Sequence, residues 1–212
     1  MSADAHAPPE ITLYSDHVCP FCYLGRRSLA AYRAERDGDL AIDWRPFDLR
    51  SDRRGPDGEV EDRDVDLESD YFQQVRENVA RLREEYDAPE MLGIDEVPEV
   101  DSLDAQVASM FVQREHPETW LDFDDALLAA LWVDGRDIGN GDVIADVAEA
   151  AGLDGEAVRA AVDDEDRRVD IFERFESARR EGITGVPTFV YEGTAARGAV
   201  PPEHLQRLVD GQ

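Results

Sequence analysis

Ile11-Thr-Leu-Tyr-Ser15, running on through Asp16-His-Val to Cys19-Pro-Phe-Cys22-Tyr-Leu-Gly25, decides the fold. Its first five residues alternate as a short strand does. From Tyr23 to Glu35, Leu24, Leu29, Ala31 and Tyr32 follow helical spacing. The two cysteines, which are the only two in the chain, thus stand one turn apart at a helix N-terminus. Residues i and i+3 on a helix are neighbours, so the sulfurs can close a tight disulfide. The orphan N–H groups and dipole of the first turn favour a thiolate at Cys19. This is the chemistry of thiol–disulfide exchange.

Other readings of a Cys-x-x-Cys need things this sequence lacks. A structural zinc site wants four ligands, and His6, His17, His116 and His204 show no paired spacing, so no metal site is expected. A purely structural disulfide closing so short a loop would constrain the unfolded chain little. Two inert buried cysteines would not need the intervening Pro20. The flanking strand and helix favour the redox reading.

Composition narrows the setting. The chain has 212 residues, 22 Lys+Arg against 50 Asp+Glu, and a net charge of −28; every one of the cations is Arg. Carboxylates spread this evenly repel one another in dilute buffer, yet are tolerable where the Debye length falls to about 3 Å in molar salt. Adaptation to a salt-rich cytoplasm is the expectation. A disordered acidic chain fits poorly with 42% hydrophobic residues, three Trp and eight Phe. Nucleic acid and anionic membranes are not expected partners, because phosphate binding needs clustered cations. Met1 to Glu10 has neither a basic start nor an apolar run, and no stretch of 18 apolar residues occurs, so a soluble cytoplasmic protein is expected.

Working outward from the cysteines, Leu40-Ala-Ile-Asp-Trp-Arg-Pro-Phe-Asp-Leu49 alternates again, with Leu40, Ile42 and Trp44 on one face. Strand, helix and strand make a right-handed βαβ unit. Ser51 to Asp66, with Gly55, Pro56 and Gly58, reads as a surface loop. Within it Asp62, Asp64 and Asp66 have the spacing that opens a calcium loop, but Leu67 and Gln73 stand where Gly and Glu are required, so they read as solvated charge. From about Tyr71 to Gly182 the pattern is helical, punctuated by Gly93, Gly135, Asn140-Gly141, Gly152 and Gly155. Phe111, Leu127, Leu131, Trp132, Phe172 and Phe175 fall at core spacing. Strand character returns at Thr188-Phe-Val-Tyr191, a second short segment after Gly193 reaches Gly198-Ala-Val200, and Pro201-Pro202 opens a last helix, Glu203 to Val209. The order βαβ, helices, ββα is an α/β thioredoxin fold with a large all-helical insertion. Residues 10–65 and 183–212 are its two parts and 66–182 the insertion.

Thr184-Gly-Val-Pro-Thr188 precedes the returning strand, where proline is an awkward start to a ladder, and a cis Val186–Pro187 bond would explain it. In that arrangement the proline loop faces Cys19, and Val186 can offer its backbone N–H and C=O to an extended partner.

Together these segments resemble the DsbA-like thioredoxin-fold proteins, and within them the FrnE-like subgroup. The matching residues are Ser15 to Gly25, Trp44-Arg-Pro-Phe47, Gly135-Arg-Asp-Ile138, Gly182 to Val190, and Gly198-Ala199. The resemblance implies a dithiol–disulfide oxidoreductase or isomerase with Cys19 as nucleophile, Cys22 as resolving thiol and Pro187 as the cis proline. It implies no cofactor, with thiols or disulfides of proteins or small molecules as partners. Pro20, Phe21 and Val186 would meet the substrate. Phe21 stands where FrnE-like relatives often have Trp, which keeps an aromatic rim, and Gln106 where some relatives carry a substrate-facing His. With Phe21 uncharged, the reductase or isomerase direction is favoured over strong oxidation. His17 reads either as a cation near the thiols or as a plain surface residue. Two rivals stand beside this reading. One is the branch that uses a glutathione-type thiol to isomerise or transfer aromatic compounds such as 2-hydroxychromene-2-carboxylate, whose relatives typically have Ser in place of Cys19. The other is a non-catalytic peptide-binding module. Monomer and dimer are both compatible with the sequence.

Overall fold

The computed structural model describes residues 8–55, 58–61 and 69–211. Strand β1 (Glu10–Ser15) runs parallel to β2 (Ala41–Pro46), and helix α1 (Pro20–Glu35) crosses between them. After six further α-helices and one short 3-10 turn among the described residues the chain returns as β3 (Thr188–Tyr191), antiparallel to β1, and β4 (Thr194–Arg197), antiparallel to β3. The mixed sheet has the order β2-β1-β3-β4, and α8 (Pro202–Asp210) closes the chain. This is the thioredoxin topology, with the helices α2 (Asp70–Glu85), α3 (Leu103–Glu115), α4 (Pro117–Trp132), α5 (Gly141–Ala150), α6 (Gly155–Val162) and α7 (Glu165–Arg180) inserted between β2 and β3.

Local sequence accounts for most of the boundaries. Asn140, Asp154 and Asp164 cap α5, α6 and α7 by accepting hydrogen bonds from Asp142, Ala157 and Arg167 backbone N–H groups. Prolines open α1, α4 and α8, where a missing N–H costs nothing. Glu192 and Gly193 both have positive φ, 47° and 79°, which gives the two-residue turn whose twist suits a tight hairpin. The last strand starts after this turn, as expected, but ends at Arg197 and does not reach Val200. β4 begins at Thr194, directly after the turn, while Gly198 lies beyond it at φ +84°, its N–H bonded to the Pro187 carbonyl at 2.8 Å.

One continuous apolar core joins the sheet to the insertion. Ile11, Leu13, Leu24, Trp44 and Phe189 from the thioredoxin elements pack with Val107, Phe123, Leu127, Leu131 and Trp132 of α3 and α4. Polar bonds reinforce the seam, among them Gln113 Nε2 donating to the Trp44 carbonyl (3.2 Å) and Tyr86 Oη to the Ala199 carbonyl (2.6 Å). Asp62, Asp64 and Asp66, read as solvated charge, and the expected division at 65/66 lie outside the described residues. Among the described residues no helix is long and apolar enough to cross a membrane.

Candidate active site

Cys19 is the N-cap of α1, its backbone extended (φ −88°, ψ 116°), with Pro20 at the first helical position. Its N–H bonds the Asp16 carbonyl (3.1 Å), and its own carbonyl accepts from Cys22 N–H (3.0 Å). The tight 16–22 turn this creates holds both sulfurs at the end of β1. Cys19 Sγ donates to the carbonyl of Val186 (3.5 Å), and the Val186–Pro187 peptide is cis. Elements separated by more than 160 residues thus meet at one sulfur. Thr188 Oγ1 ties the loop back to the Gly185 carbonyl (2.7 Å). Phe21 and Val186 are half-buried, each packed on one of two hydrophobic clusters. Pro20 is likewise half-buried beside them.

The two thiols have unequal surroundings. Cys22 lies deeper, 1% exposed against 4% for Cys19. Burial, then the hydrogen bond and charge of Cys19, push the Cys22 thiol well above the usual range; the Ser15 hydroxyl and the Asp16 backbone oppose this without overcoming it. Cys22 therefore keeps its proton in the dithiol state.

Beneath the turn lies a buried polar assembly. His17 is 1% exposed, which removes the surface reading of that residue. Its Nε2 lies 2.8 Å from Asp124 Oδ1 of α4, and its carbonyl accepts from Trp132 Nε1 (2.8 Å). Asp124 also receives Ser109 Oγ (2.5 Å), which accepts in turn from Trp120 Nε1 (2.9 Å). Burial opposes the charge of Asp124, but His17, Arg26 and Ser109 hold its carboxyl below the usual range. On the other side of the turn Asp16, fully buried, accepts from Ser102 Oγ (2.6 Å), Gln106 Nε2 (3.3 Å) and the backbone N–H groups of Val18 (3.2 Å) and Leu49 (3.0 Å). Gln106 is thus a buried support of the cysteine turn.

Sequence reading brought together Cys19, Cys22, Val186 and Pro187, and the structure places them in one site. It missed Asp16, Asp124 and Arg26 as neighbours of that site, because their partners come from distant segments. Gly25 was also passed over, although a glycine within a strong helical pattern signals a close backbone approach; here its neighbour is the Pro187 ring.

A four-stranded mixed sheet, a dithiol at the N-terminus of its first helix and an opposed cis-proline loop define a thioredoxin-fold dithiol protein. The chain belongs to the DSBA-like thioredoxin domain family, which it matches over residues 10–210. It is 24% identical over 205 residues to the uncharacterized protein YwbO of Bacillus subtilis, covering 95% of this chain and 96% of that one. Its fold is similar to that of a "probable DsbA oxidoreductase" from Streptomyces coelicolor (TM-score 0.73, 22% identity, 96% of this chain and 89% of that one). It is also similar to the cytosolic disulfide reductase DsbM from Pseudomonas aeruginosa, in a structure with GSH (TM-score 0.61, 20% identity, 88% of each chain). At these identities the likenesses to solved structures establish the fold.

Proposed function

We propose that this protein is a thiol–disulfide oxidoreductase of the FrnE-like kind, working in the reductase or isomerase direction. The contact of Cys19 Sγ with the Val186 carbonyl, with the buried Cys22 thiol behind it, is the observation that carries this reading. Cys19, as thiolate, attacks one sulfur of a partner disulfide; a new S–S bond forms to Cys19, the partner's S–S bond breaks, and its other sulfur leaves as thiolate and takes up a proton. Cys22 then loses its proton and attacks Cys19, closing the protein disulfide and freeing the partner as a dithiol. Two electrons have passed from protein to partner. Val186 receives the partner's backbone in place of the thiol, while the half-buried Pro20 and Phe21 form the rim against which it lies, above the buried Pro187.

Thiol-dependent isomerisation of an aromatic compound would give a second thiol no task, and a passive peptide-binding module would need neither. The buried Cys22 favours redox turnover. The acid-rich, lysine-free composition supports a salt-rich cytoplasm as the setting, with residues 66–182 as an insertion that shapes access to the thiols. Insulin reduction in molar KCl tests the function. The wild type is expected to precipitate insulin B chain with dithiothreitol as donor, and Cys19→Ser to fall to the uncatalysed rate. A wild type no faster than dithiothreitol alone contradicts the proposal.

A further inference from the structure

Neither Pro20 nor Phe21, between the cysteines, carries charge; a buried cation stands behind them on the same helix. Arg26 follows Cys22 by one turn on the same face of α1, and both side chains are buried, 6% and 1% exposed. The guanidinium's terminal nitrogens Nη1 and Nη2 are buried. Nη1 lies 3.1 Å from Asp124 Oδ2, Nη2 lies 2.7 Å from Asp125 Oδ1, and Nε donates to the same Asp125 oxygen (2.9 Å). Its carbon sits 5.5 Å above the Trp120 ring. Asp124 shares its other oxygen with His17, two residues before Cys19, so one buried carboxylate joins the cation behind Cys22 to the turn that carries the nucleophile.

We propose that Arg26 is a positioning residue that sets how readily the Cys19–Cys22 pair is oxidised, and that Asp124 governs how much of its positive charge the sulfurs feel. The proposal rests on the dithiol-exchange reading and deepens it by naming what tunes the couple. A full charge held in a desolvated site one turn from a thiol is screened little, and it favours the anionic dithiol state over the neutral disulfide. Asp124, with the half-exposed Asp125, offsets that effect. Burial works against the charge of Arg26, and Asp125, Asp124 and the Cys22 sulfur favour it. Asp16 is a further buried carboxyl beside the turn, which burial pushes upward against its hydrogen bonds from Ser102, Leu49 and Val18. The direction of exchange in this protein is thus governed by groups outside the Cys-x-x-Cys, supplied jointly by α1 and the insertion.

The test is the equilibrium of the full-length protein with dithiothreitol in molar KCl. In this exchange protein disulfide and reduced dithiothreitol give protein dithiol and cyclic dithiothreitol disulfide, with two electrons and two protons passing to the protein. Asp124→Asn, nearly isosteric, unmasks the cation and is expected to shift the equilibrium about threefold to tenfold toward the protein dithiol. Arg26→Gln is expected to shift it as far toward the disulfide, and Arg26→Lys, which keeps the charge, to stay within about twofold of wild type. Opposite signs from two neighbouring charge-removing substitutions separate the effect of charge from that of loosened packing. Equal constants in all forms, or shifts of the same sign for Asp124→Asn and Arg26→Gln, overturn the proposal. Should Arg26→Gln lose native circular dichroism, Asp124→Asn decides alone, an unchanged constant counting against the proposal. A wild type that never equilibrates with dithiothreitol overturns the dithiol reading itself and this inference with it.

Discussion

Gly25 brings helix α1 against Pro187 so closely that a Cβ at position 25 would lie 2.9 Å from Pro187 Cγ and 3.4 Å from Phe189 Cζ. The proline ring is no flexible side-chain end that can swing aside, so its loop must move for any larger residue. Gly25→Ala should gain about 0.5–1 kcal/mol of helix propensity yet lose more to overpacking, about 1–3 kcal/mol. The expected outcome is a melting temperature lower by a few degrees. A slower insulin reduction should accompany it, because Val186 moves with Pro187. A variant as stable and as active as wild type would show that the loop yields freely.

The inequality of the two thiols predicts how they label. With Cys22 held protonated by burial and by Cys19, iodoacetamide near neutral pH should modify one cysteine per folded chain rapidly and the second only after denaturation. Peptide mapping should place the fast adduct on Cys19. Fast modification of Cys22 would reverse the roles assigned to the pair.

Three phenols give a pH signature. Burial is the leading cause in each case, raising Tyr14, Tyr23 and Tyr86 from the ordinary 10 to about 12, with Glu181 and Glu90 adding to the effect at Tyr14 and Tyr23 and the charge of Glu85 at Tyr86. The unfolded chain loses these protons first as pH rises, so the folded state holds more protons between about 10 and 12. The stability linked to these phenols is therefore complete below 10 and is lost progressively as pH climbs toward 12. Ultraviolet titration in molar KCl should show tyrosine ionisation extending to about 12 in the folded protein and a single phase near 10 in denaturant. One phase near 10 in both would place these hydroxyls in solvent.

A charge of −28 predicts dependence on salt. Dialysis from molar to millimolar KCl lengthens the Debye length from about 3 Å to beyond 30 Å, and carboxylates on all sides of the molecule then repel one another. Helical circular dichroism should decline along that series. Full helicity in salt-free buffer would separate the acidic composition from any need for salt.

The order of elements and the four groups of the site were legible because each is announced locally: a period-2 run before the cysteines, helical spacing after them, and a Pro at a strand start. Where the sequence reading failed, the information was distant or had two meanings. His17 looked as much like a surface residue as a cation because its partner, Asp124, is 107 residues away. The last strand was carried too far, to Val200, because Ala199 and Val200 look apolar while Thr194–Arg197 is mostly exposed; the strand stops at Arg197, before the positive φ of Gly198. Arg26 was one of many arginines until the fold enclosed it. A buried charge leaves no periodic trace in a chain whose surface is also charged.

The most direct test is to trap the reaction half-way. Cys22→Ser, incubated with a disulfide-bonded protein in molar KCl and resolved without reductant, should accumulate a covalent complex whose bond maps to Cys19 and is released by dithiothreitol, while Cys19→Ser should form none. Complexes formed equally by both variants, or by neither, would contradict the account of Cys19 as the attacking sulfur and Cys22 as the one that resolves it.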